Sequence, residues 1–421
     1  MDIVVHGKAT ISGEMRPPPS KFYTHFTTAL ASLSHGKSVV RDPLPVKDTL
    51  SLFRALEKLG VVISRGAREW VVWGTGGELR PKGNTLDVGN SATALSILTS
   101  ISTLASRVLV VTGDSQLRSR PMPSLLRGLR RLGGEVYSTK PEESAPFIVF
   151  GGGLQGGMVD GVDARFLPAF LLPAPFASKG VEIRVRTGGE VLERCADFIQ
   201  RMGVPLRMQG RRLIISEGSF RPSTLVVPPS LYQVAPFIVA ACLTYSELRL
   251  RANKEKCEGV FLLKILEEMG MNFRFSREKI VIKGPQRAGG GVVDLGGNPD
   301  ILPLIAVVAS LAHGRTRLVN VSGAREMKSD RVSSMVKNLR KMGAKIKERR
   351  GELVIEGRRA LRGAEVDGSD DHAVAAALVV AGLVAEGRTV VRGGVGALRT
   401  SYSKFLSEFQ KLGAGVSLKG D

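Results

Sequence analysis

Six stretches of the chain share one pattern of apolar and polar positions. In each, an amphipathic segment ends in polar or charged residues, Leu or Met and then Gly follow, and a β-rich run comes next. The copies are LEKLGVVI, LRRLGGEV, IQRMGVPL, LEEMGMNF, LRKMGAKI and FQKLGAGV, which contain Gly60, Gly133, Gly203, Gly270, Gly343 and Gly413. Successive glycines lie 67 to 73 residues apart, which predicts six copies of one structural unit.

The repeated phrase predicts a helix end followed by strands. Leu or Met completes the apolar stripe, and Gly adopts the left-handed conformation after the last turn. In four copies a charged turn and a second β-rich run follow, which predicts the hairpins SRGAREWVVWG, MQGRRLIISEG, FSREKIVIKG and KERRGELVIEG. The segments SATALSILTSISTLA and HAVAAALVVAGLVAEG predict further helices, and the first is expected to be buried on most sides.

Six units within 421 residues predict two domains of three units each. A unit of this size is too large for a thin solenoid repeat. The Pro-rich stretch SEGSFRPSTLVVPPSLYQ separates the third copy from the fourth and is the expected boundary. We therefore expect a first domain over residues 14–225 and a second over 1–13 plus 226–421, the amino-terminal strand having no unit of its own.

Composition predicts a soluble, cytoplasmic globular protein. Hydrophobic residues make up 43% and charged residues 24% of the chain, without an apolar run long enough to span a membrane. The start, MDIVVHGKATISG, is typical of a strand and a turn rather than of a signal peptide. Cys195, Cys242 and Cys257 have no metal-binding spacing and are expected to be buried small hydrophobes.

The net charge of +21 indicates an anionic partner. Nucleic acid is the first candidate, but only 5% of residues are aromatic and no basic stretch is interleaved with aromatics for base stacking. A solvated basic surface, with some arginines directed at a small, multiply charged anion, accounts for the excess as well. We expect no nucleic-acid and no membrane partner.

Several stretches resemble the 5-enolpyruvylshikimate-3-phosphate (EPSP) synthase family, the 3-phosphoshikimate 1-carboxyvinyltransferases. They are PPSKFYTHFTTALASLSHGKS, DVGNSATALSILTS, GDSQLRSRPMPSLLRGLRRLGG, NPDILPLIAVVASLAHG, MKSDRVSSMVKNLRKMGA and DDHAVAAALVVAGL. They follow the family's order and spacing over almost the entire chain. The resemblance implies an α/β fold, a two-domain inside-out α/β barrel of six βαβαββ repeats (the enolpyruvyl transferase fold), with the active site in the interdomain cleft.

The resemblance also implies a reaction. Enolpyruvyl is transferred from phosphoenolpyruvate to the 5-hydroxyl of shikimate 3-phosphate with release of phosphate, a step in making chorismate and the aromatic amino acids. Both substrates are polyanions, which suits a site rich in Arg, Lys and helix amino termini. The family implies no metal and no organic cofactor, and we expect a monomer.

Some of the family's site residues are retained. Lys21 matches the catalytic lysine, and Asp300 matches the acidic residue that handles the proton of the acceptor hydroxyl. Without the resemblance, the first would be a solvated lysine at a helix start and the second a helix cap. The positions implied to bind phosphoenolpyruvate are Lys21, Asn90, Ala92, Arg120, Arg331 and Arg399. Of these, Ala92 replaces the family's glycine, with Ser91 and Thr93 beside it, and Arg399 replaces a lysine.

Other positions depart from the family, chiefly in the acceptor pocket. Each lost charge-assisted hydrogen bond would cost about 1.5–3 kcal/mol of binding free energy, unless Arg165, Arg325 or Lys328 compensates. The altered acceptor positions are Phe22 and Phe26 for a serine and an arginine, Asp163, Ala164 and Arg165 for a Ser-Ser-Gln triplet, Gly188 for a serine, and Met327 and Lys328 for a lysine and a glutamate. In the donor half, Ala373 replaces an arginine.

Three alternatives to the transferase stay open. The first is a diverged, non-catalytic paralogue that binds a different anion, because fold alone does not fix function. The second is an RNA 3′-terminal phosphate cyclase, which shares the repeat unit but lacks the six-copy arrangement. The third is the relative that transfers enolpyruvate to a UDP-amino sugar, but none of the three cysteines lies in a stretch matching its reactive cysteine.

Overall fold

The structure is a computed structural model that describes residues 1–187 and 189–419. The strands are β1 (Asp2–His6), β2 (Ser12–Met15), β3 (His35–Arg41), β4 (Val62–Arg65), β5 (Glu69–Thr75), β6 (Thr85–Asp87), β7 (Leu109–Thr112), β8 (Val136–Ser138), β9 (Phe147–Val149), β10 (Gly157–Val162), β11 (Val181–Val185), β12 (Leu206–Gln209), β13 (Arg212–Ile215), β14 (Thr224–Val226), β15 (Glu247–Arg251), β16 (Phe273–Phe275), β17 (Lys279–Lys283), β18 (Val292–Asp294), β19 (Arg315–Val319), β20 (Lys345–Arg349), β21 (Glu352–Glu356), β22 (Glu365–Asp367), β23 (Arg388–Arg392) and β24 (Val416–Lys419).

The helices alternate with these strands. They are α1 (Lys21–Ser32), α2 (Lys47–Lys58), α3 (Ala92–Ile101), α4 (Pro123–Arg131), α5 (Leu167–Leu171), α6 (Glu190–Arg201), α7 (Leu231–Leu243), α8 (Val260–Glu268), α9 (Leu302–Ser310), α10 (Arg331–Lys341), α11 (His372–Val384), α12 (Val395–Ser401) and α13 (Phe405–Lys411). Short 3₁₀ turns precede several of them.

The strands form six four-stranded sheets with one topology. In the sheet β6-β7-β9-β8, the first two strands are parallel and the last two form an antiparallel hairpin. The other five sheets have the same strand order and the same strand directions: β14-β3-β5-β4, β10-β11-β13-β12, β2-β15-β17-β16, β18-β19-β21-β20 and β22-β23-β1-β24. The four predicted hairpins are confirmed as β4–β5, β12–β13, β16–β17 and β20–β21.

Three strands come from outside the continuous segment of their repeat. The first repeat takes its edge strand from β14, and the fourth takes its edge strand from β2. The sixth repeat ends at β24, and β1 pairs with both β23 and β24 to complete its sheet. Each repeat thereby has the order βαβαββ, although the local sequence of the first, fourth and sixth repeats lacks one strand.

The six repeated glycines end helices as the sequence predicts. All six have φ between 83° and 95°, in the left-handed region. In each copy the next residue donates its backbone N–H to a carbonyl of the last helical turn, over 2.9–3.4 Å, as in Val61 to Leu56 and Ala344 to Leu339. This is the 6→1 bond of the Schellman motif, which satisfies an otherwise unpaired carbonyl.

The chain divides into two compact units. The first unit spans Pro19–Pro228, and the second comprises Met1–Pro18 and the chain from Pro229 onward. The first unit therefore begins five residues later and ends three residues later than the range 14–225. The reason is pairing, because β2 belongs to a sheet of the second unit and β14 to a sheet of the first.

Each unit has its own core around buried helices. In the first unit α3 is buried from Ala94 to Ile101, as predicted, and in the second unit α11 is buried from Val374 to Leu383. Amphipathic helices such as α4 and α10 expose one face, and their opposite faces cover the sheets. The three cysteines are buried, as predicted. Within residues 1–187 and 189–419, no helix is both long enough and apolar enough to cross a bilayer.

Candidate active site

Lys21 is the first residue of α1, and a carboxylate fixes its side chain. Ser20 caps this helix, its Oγ accepting the backbone N–H of Tyr23 at 3.0 Å. The Lys21 Nζ lies 2.7 Å from Oδ2 of Asp48, which is the second residue of α2. The packing of α1 against α2 therefore places a carboxylate beside an ammonium group at a helix amino terminus.

His25 and Ser91 border the same ion pair. Ser91 caps α3, and its Oγ lies 3.3 Å from the Nε2 of His25. Burial opposes ionisation of the Asp48 carboxyl, but the Lys21 ammonium, the His25 ring and hydrogen bonds from Lys21 and Ser91 outweigh it and lower the pKa of Asp48 to about 2. Burial also lowers the pKa of His25 to about 4, against the opposing charge of Asp48. At neutral pH the carboxylate is charged and the imidazole is neutral.

The amino terminus of α3 is tied to the segment that contains Arg120. Ala92 is the first residue of α3, and Asn90 precedes its cap. The Asn90 Nδ2 donates to Asp114 at 2.8 and 3.0 Å and to Gln116 Oε1 at 2.7 Å. Asp114 in turn accepts the Leu117 N–H at 2.9 Å, at the start of the 3₁₀ turn that Arg120 follows. Asn90 thus orients the Arg120 loop against the helix start.

In the second unit, Arg331 is the first residue of α10 and is 2% exposed. Its Nε and Nη2 donate to the two carboxylate oxygens of Asp371 at 2.8 and 3.1 Å. Its Nη1 donates to Oδ1 of Asp300 at 2.8 Å. Asp371 is fully buried, caps α11, and also accepts from Ser329 Oγ at 3.1 Å. Three helix starts therefore meet around one guanidinium group.

The charges in this cluster stabilise one another. Burial opposes ionisation of Asp371, but Arg331 outweighs it and lowers the pKa of Asp371 to about 2. Burial likewise opposes the charge on Arg331, while Asp371 and Asp300 raise its pKa. The Asp300 side chain is 56% exposed and belongs to the 3₁₀ turn Pro299–Ile301, which Asn298 precedes as cap. Its carboxylate is therefore an exposed arm of the cluster and not the helix cap.

The apolar replacements lie mainly in the core. Phe26 is completely buried and packs edge-on against Phe198, with ring centroids 6.2 Å apart. Phe22 is partly buried, and its ring packs edge-on against that of Tyr23, with ring centroids 5.1 Å apart. Met327 is buried as well. The position at which the family has a phosphate-binding arginine therefore serves packing in this chain.

Asp163, Ala164 and Arg165 form a compact charged turn. Asp163 caps the 3₁₀ turn Ala164–Phe166, and its carboxylate accepts from Arg165 Nε at 3.0 Å and Nη2 at 2.9 Å. Arg186 Nη2 donates to the same carboxylate at 2.8 Å. Two arginines thus share one carboxylate, which leaves the turn with one net positive charge. Gly188, predicted to lie near this pocket, is outside the described residues.

The remaining predicted positions are more dispersed. Arg325 is bound by Asp330 at 2.6 Å and by Glu348, so existing carboxylates already occupy its guanidinium. Lys328 is partly buried. Ala373 contributes only its backbone N–H, to Asp371 Oδ1 at 2.8 Å. Arg399, on α12, is exposed and lines a cavity of about 340 Å³ beside Tyr402.

Sequence reasoning missed Asp48, His25 and Asp371 as members of these clusters, whereas Ser91 was named beside Ala92 in the donor-binding segment. Asp48 and Asp371 did give a local signal, because acidic residues at a helix start cap the helix or interact favourably with the positive end of its dipole. Nothing local pairs His25 with Ser91, which lies 66 residues away. Within the described part of the chain, no group of three His, Cys, Asp or Glu side chains is arranged to hold a metal ion.

Comparisons with known proteins agree with this architecture over the whole chain. The family model of EPSP synthase (3-phosphoshikimate 1-carboxyvinyltransferase) matches residues 5–409. The 3-phosphoshikimate 1-carboxyvinyltransferase of Methanothermobacter thermautotrophicus is 33% identical over 435 residues, covering 99% of this chain and 100% of that protein. The enzyme of the same name from Methanocaldococcus jannaschii is 31% identical over 430 residues, covering 99% of each.

A solved structure shows the same fold. The EPSP synthase of Acinetobacter baumannii superposes with a TM-score of 0.81 at 22% identity, with the full length of both chains covered. The predicted two-domain α/β fold of six βαβαββ repeats is thereby confirmed. The family model and the two relatives go further than fold, since they match in sequence over nearly the whole chain. This chain belongs to the EPSP synthase family.

Proposed function

We propose that the chain is a 3-phosphoshikimate 1-carboxyvinyltransferase. In this reaction the 5-hydroxyl oxygen of shikimate 3-phosphate adds to C2 of phosphoenolpyruvate and loses its proton, while the methylene carbon gains one. Loss of a proton from the new methyl group and departure of phosphate then give the enolpyruvyl ether. The observation that carries the proposal is the full-length match to relatives that bear this name, at 31–33% identity.

The two clusters supply groups suited to this chemistry. We propose that the Lys21 ammonium, which pairs with Asp48, stabilises charge on phosphoenolpyruvate and delivers a proton. We propose that the exposed Asp300 carboxylate, which pairs with Arg331, accepts the proton of the acceptor hydroxyl. Asn90, Ala92, Arg120, Arg331 and Arg399 complete the proposed donor site.

Helix amino termini support the binding of these polyanions. Lys21, Ala92 and Arg331 are each the first residue of a helix of ten or more residues. Such termini present unpaired backbone N–H groups and the positive end of the helix dipole. At two of these termini, Lys21 and Arg331 add a positive charge to the backbone N–H groups that the helix already presents.

The acceptor pocket favours a second candidate, transfer to a different anionic acceptor. Phe26 is fully buried in the core, so it offers nothing to a phosphate. The turn of Asp163, Ala164 and Arg165 occupies the positions of the family's Ser-Ser-Gln triplet. In this turn Arg165 and Arg186 both donate to the Asp163 carboxylate. An acceptor whose anionic group is displaced toward this turn would use two arginines in place of the missing hydroxyl and amide donors.

Calorimetry with each substrate, followed by a phosphate-release assay, tests the proposal. We expect shikimate 3-phosphate to bind and phosphate to be released only when both substrates are present. Lys21→Ala should lower turnover by about a hundredfold or more. Lys47→Ala is the matched control, because Lys47 is an exposed lysine that likewise begins a helix.

Two results would count against the proposed function. No heat from shikimate 3-phosphate at millimolar concentration, with phosphoenolpyruvate still bound, would favour the second candidate. Unchanged turnover in Lys21→Ala would remove Lys21 from the mechanism.

A further inference from the structure

We propose that Asp300 competes with phosphoenolpyruvate for Arg331, so that binding of the donor releases the carboxylate that accepts the proton of the acceptor hydroxyl. The inference deepens the proposed function and rests on it, because that function gives Arg331 a place in the donor site and Asp300 the role of a base. It adds a link between these two roles. One ion pair occupies both residues, and the donor breaks it.

Asp371 and Asp300 bind different parts of the Arg331 guanidinium group. Asp371 accepts from Nε at 2.8 Å and from Nη2 at 3.1 Å, the two-bond arrangement of a bidentate pair. Asp300 accepts from Nη1 at 2.8 Å through one carboxylate oxygen, and its backbone carbonyl lies 3.5 Å from the same nitrogen. Because Asp371 occupies the Nε edge, an arriving anion has to bind Arg331 at the Nη1 end, where Asp300 lies.

The two carboxylates also differ in accessibility. Asp371 is fully buried, and it accepts further hydrogen bonds from Ser329 Oγ at 3.1 Å and from the Ala373 N–H at 2.8 Å. The Asp300 side chain is 56% exposed, whereas Arg331 is 2% exposed. Asp371 is therefore fixed in the core, and Asp300 is the partner of Arg331 that a solute can displace.

The charges of the three side chains supply the reason for competition. One guanidinium group faces two carboxylates, so Arg331, Asp300 and Asp371 together carry a net charge of −1 at neutral pH. An anion that binds beside Asp300 would meet the repulsion of a like charge at short range. An anion that replaces Asp300 avoids this repulsion and keeps the buried guanidinium paired, which its removal from water requires.

The backbone on both sides of Asp300 is anchored. Pro299 and Ile301, its neighbours in the 3₁₀ turn, are buried. Asn298, which precedes the turn, donates from Nδ2 to the Tyr232 hydroxyl at 2.6 Å. Release of Asp300 therefore needs only rotation of an exposed side chain. The carboxylate stays at the site, where the proposed function requires a proton acceptor.

Calorimetric titration of phosphoenolpyruvate into variants of Asp300 tests the competition. Asp300→Asn keeps the size of the side chain and removes its charge, so we expect the Kd for phosphoenolpyruvate to fall about tenfold. The kcat for transfer should fall about a hundredfold or more, because the proton acceptor is lost. Asp300→Ser also removes the charge and should tighten binding in the same direction. Asp300→Glu keeps the charge and should bind phosphoenolpyruvate as the unaltered chain does.

Asp294→Asn is the matched control. Asp294 is an exposed aspartate six residues earlier, and its carboxylate accepts from Asn320 Nδ2 at 2.9 Å and from the Gly296 N–H at 2.8 Å. This variant changes the net charge of the chain by the same amount, and its Kd for phosphoenolpyruvate should equal that of the unaltered chain. Unchanged or weaker binding by Asp300→Asn, or equal tightening in Asp294→Asn, would overturn the inference.

Binding and transfer are measured separately, so the inference and the proposed function fail separately. Tighter binding by Asp300→Asn, with no phosphate released by the unaltered chain and both substrates, would refute the proposed function and leave the competition supported. Transfer by the unaltered chain, with equal Kd for phosphoenolpyruvate in the two proteins, would overturn the inference alone. A base that has no part in donor binding would give this second result.

Discussion

The guanidinium group of Arg331 is removed from solvent and balanced by two carboxylates. Asp371 binds it in a bidentate arrangement from the fully buried cap of α11, and Asp300 binds it from an exposed turn. Transfer of both charges from water is costly, and excellent geometry is needed to offset that cost. Arg331 thereby links the starts of α9, α10 and α11. Its two carboxylate partners hold these helix starts together as well as balancing its charge.

Removal of the Asp371 charge should be strongly destabilising. In Asp371→Asn the charge on Arg331 stays buried but loses one of its two carboxylate partners. We therefore expect the free energy of unfolding to fall by about 3–5 kcal/mol. Urea denaturation followed by circular dichroism measures it. Glu365→Gln is the control, because its pair with Arg392 is more than half exposed on both sides and should contribute below about 1 kcal/mol. Equal, small losses in both variants would contradict the expectation.

His25 should make stability depend on pH between about 6.5 and 4. Its folded-state pKa is lowered from 6.5 to about 4 by burial, so the unfolded chain binds the proton first as pH falls. The stability that a neutral His25 contributes is fully present above pH 6.5 and is lost as pH falls toward 4, by roughly 3 kcal/mol.

The comparison that isolates this effect is His25→Gln. Urea midpoints measured from pH 7.5 to 4.5 should fall less steeply in the variant than in the unaltered chain. Asp48 and Asp371, with pKa values near 2, add their own loss only below about pH 4. Identical slopes in the two proteins would show that His25 does not titrate as its burial requires.

At the scale of elements, the six glycine-terminated helices differ in what a side chain would meet. At Gly343 an added Cβ would meet nothing within 4 Å, whereas at Gly60 it would lie 2.8 Å from the carbonyl oxygen of Arg80. Both glycines are in the left-handed region, with φ of 86° and 94°. The first position therefore requires glycine for its backbone conformation alone, and the second for conformation and space.

Alanine substitutions should follow that order. Gly343→Ala should lower the free energy of unfolding by about 1–2 kcal/mol, the cost of a left-handed non-glycine residue. Gly60→Ala should cost more, because a backbone atom would have to move. Gly396→Ala, in α12 with open space around its Cβ, should be neutral or stabilising by up to about 1 kcal/mol. Denaturant titration measures all three, and a larger loss at Gly343 than at Gly60 would contradict this account.

Helix ends and hairpins are the elements that sequence predicts well here. Each is specified by residues within about ten positions of one another, such as the Gly343 phrase and the hairpin of β20 and β21. The 3₁₀ turn around Asp300 was not predicted, and a helix cap was the alternative interpretation of this residue from local sequence. Asn298 precedes that turn and bonds to Tyr232 at 2.6 Å, a partner 66 residues away, which no local pattern reveals.

At the scale of the whole molecule, two cores are built separately. One described core cluster contains only residues of the first unit, from Tyr23 to Val227, and the other only residues of the second unit. The three sheets of the first unit use strands β3 to β14 alone. The second unit instead needs β1 and β2 from the amino-terminal segment.

The segment 19–228 should therefore fold by itself. Expressed alone, it should give a cooperative urea transition and the far-ultraviolet circular dichroism of an α/β domain. The segment 229–421 alone should be much less stable, because two of its sheets would lack a strand each. Adding residues 1–18 to it through a flexible linker is the matched control and should restore a cooperative transition. An unfolded 19–228 segment would contradict the independence of the two cores.

The sequence by itself determined the number of repeats, their helix ends and their hairpins, and its resemblance to the family predicted Lys21, Asp300 and Arg331 as site residues. These features depend on local chemistry: the backbone freedom of glycine, the alternation of strands and short motifs at helix starts. Only the tertiary structure showed that Asp48 pairs with Lys21, that Asp371 pairs with Arg331 in the core, and that His25 contacts Ser91. It also showed that β1, β2 and β14 complete repeats distant in sequence. Those pairings join residues 27 to over 350 positions apart, and folding selects them through burial and charge balance, which no local pattern encodes.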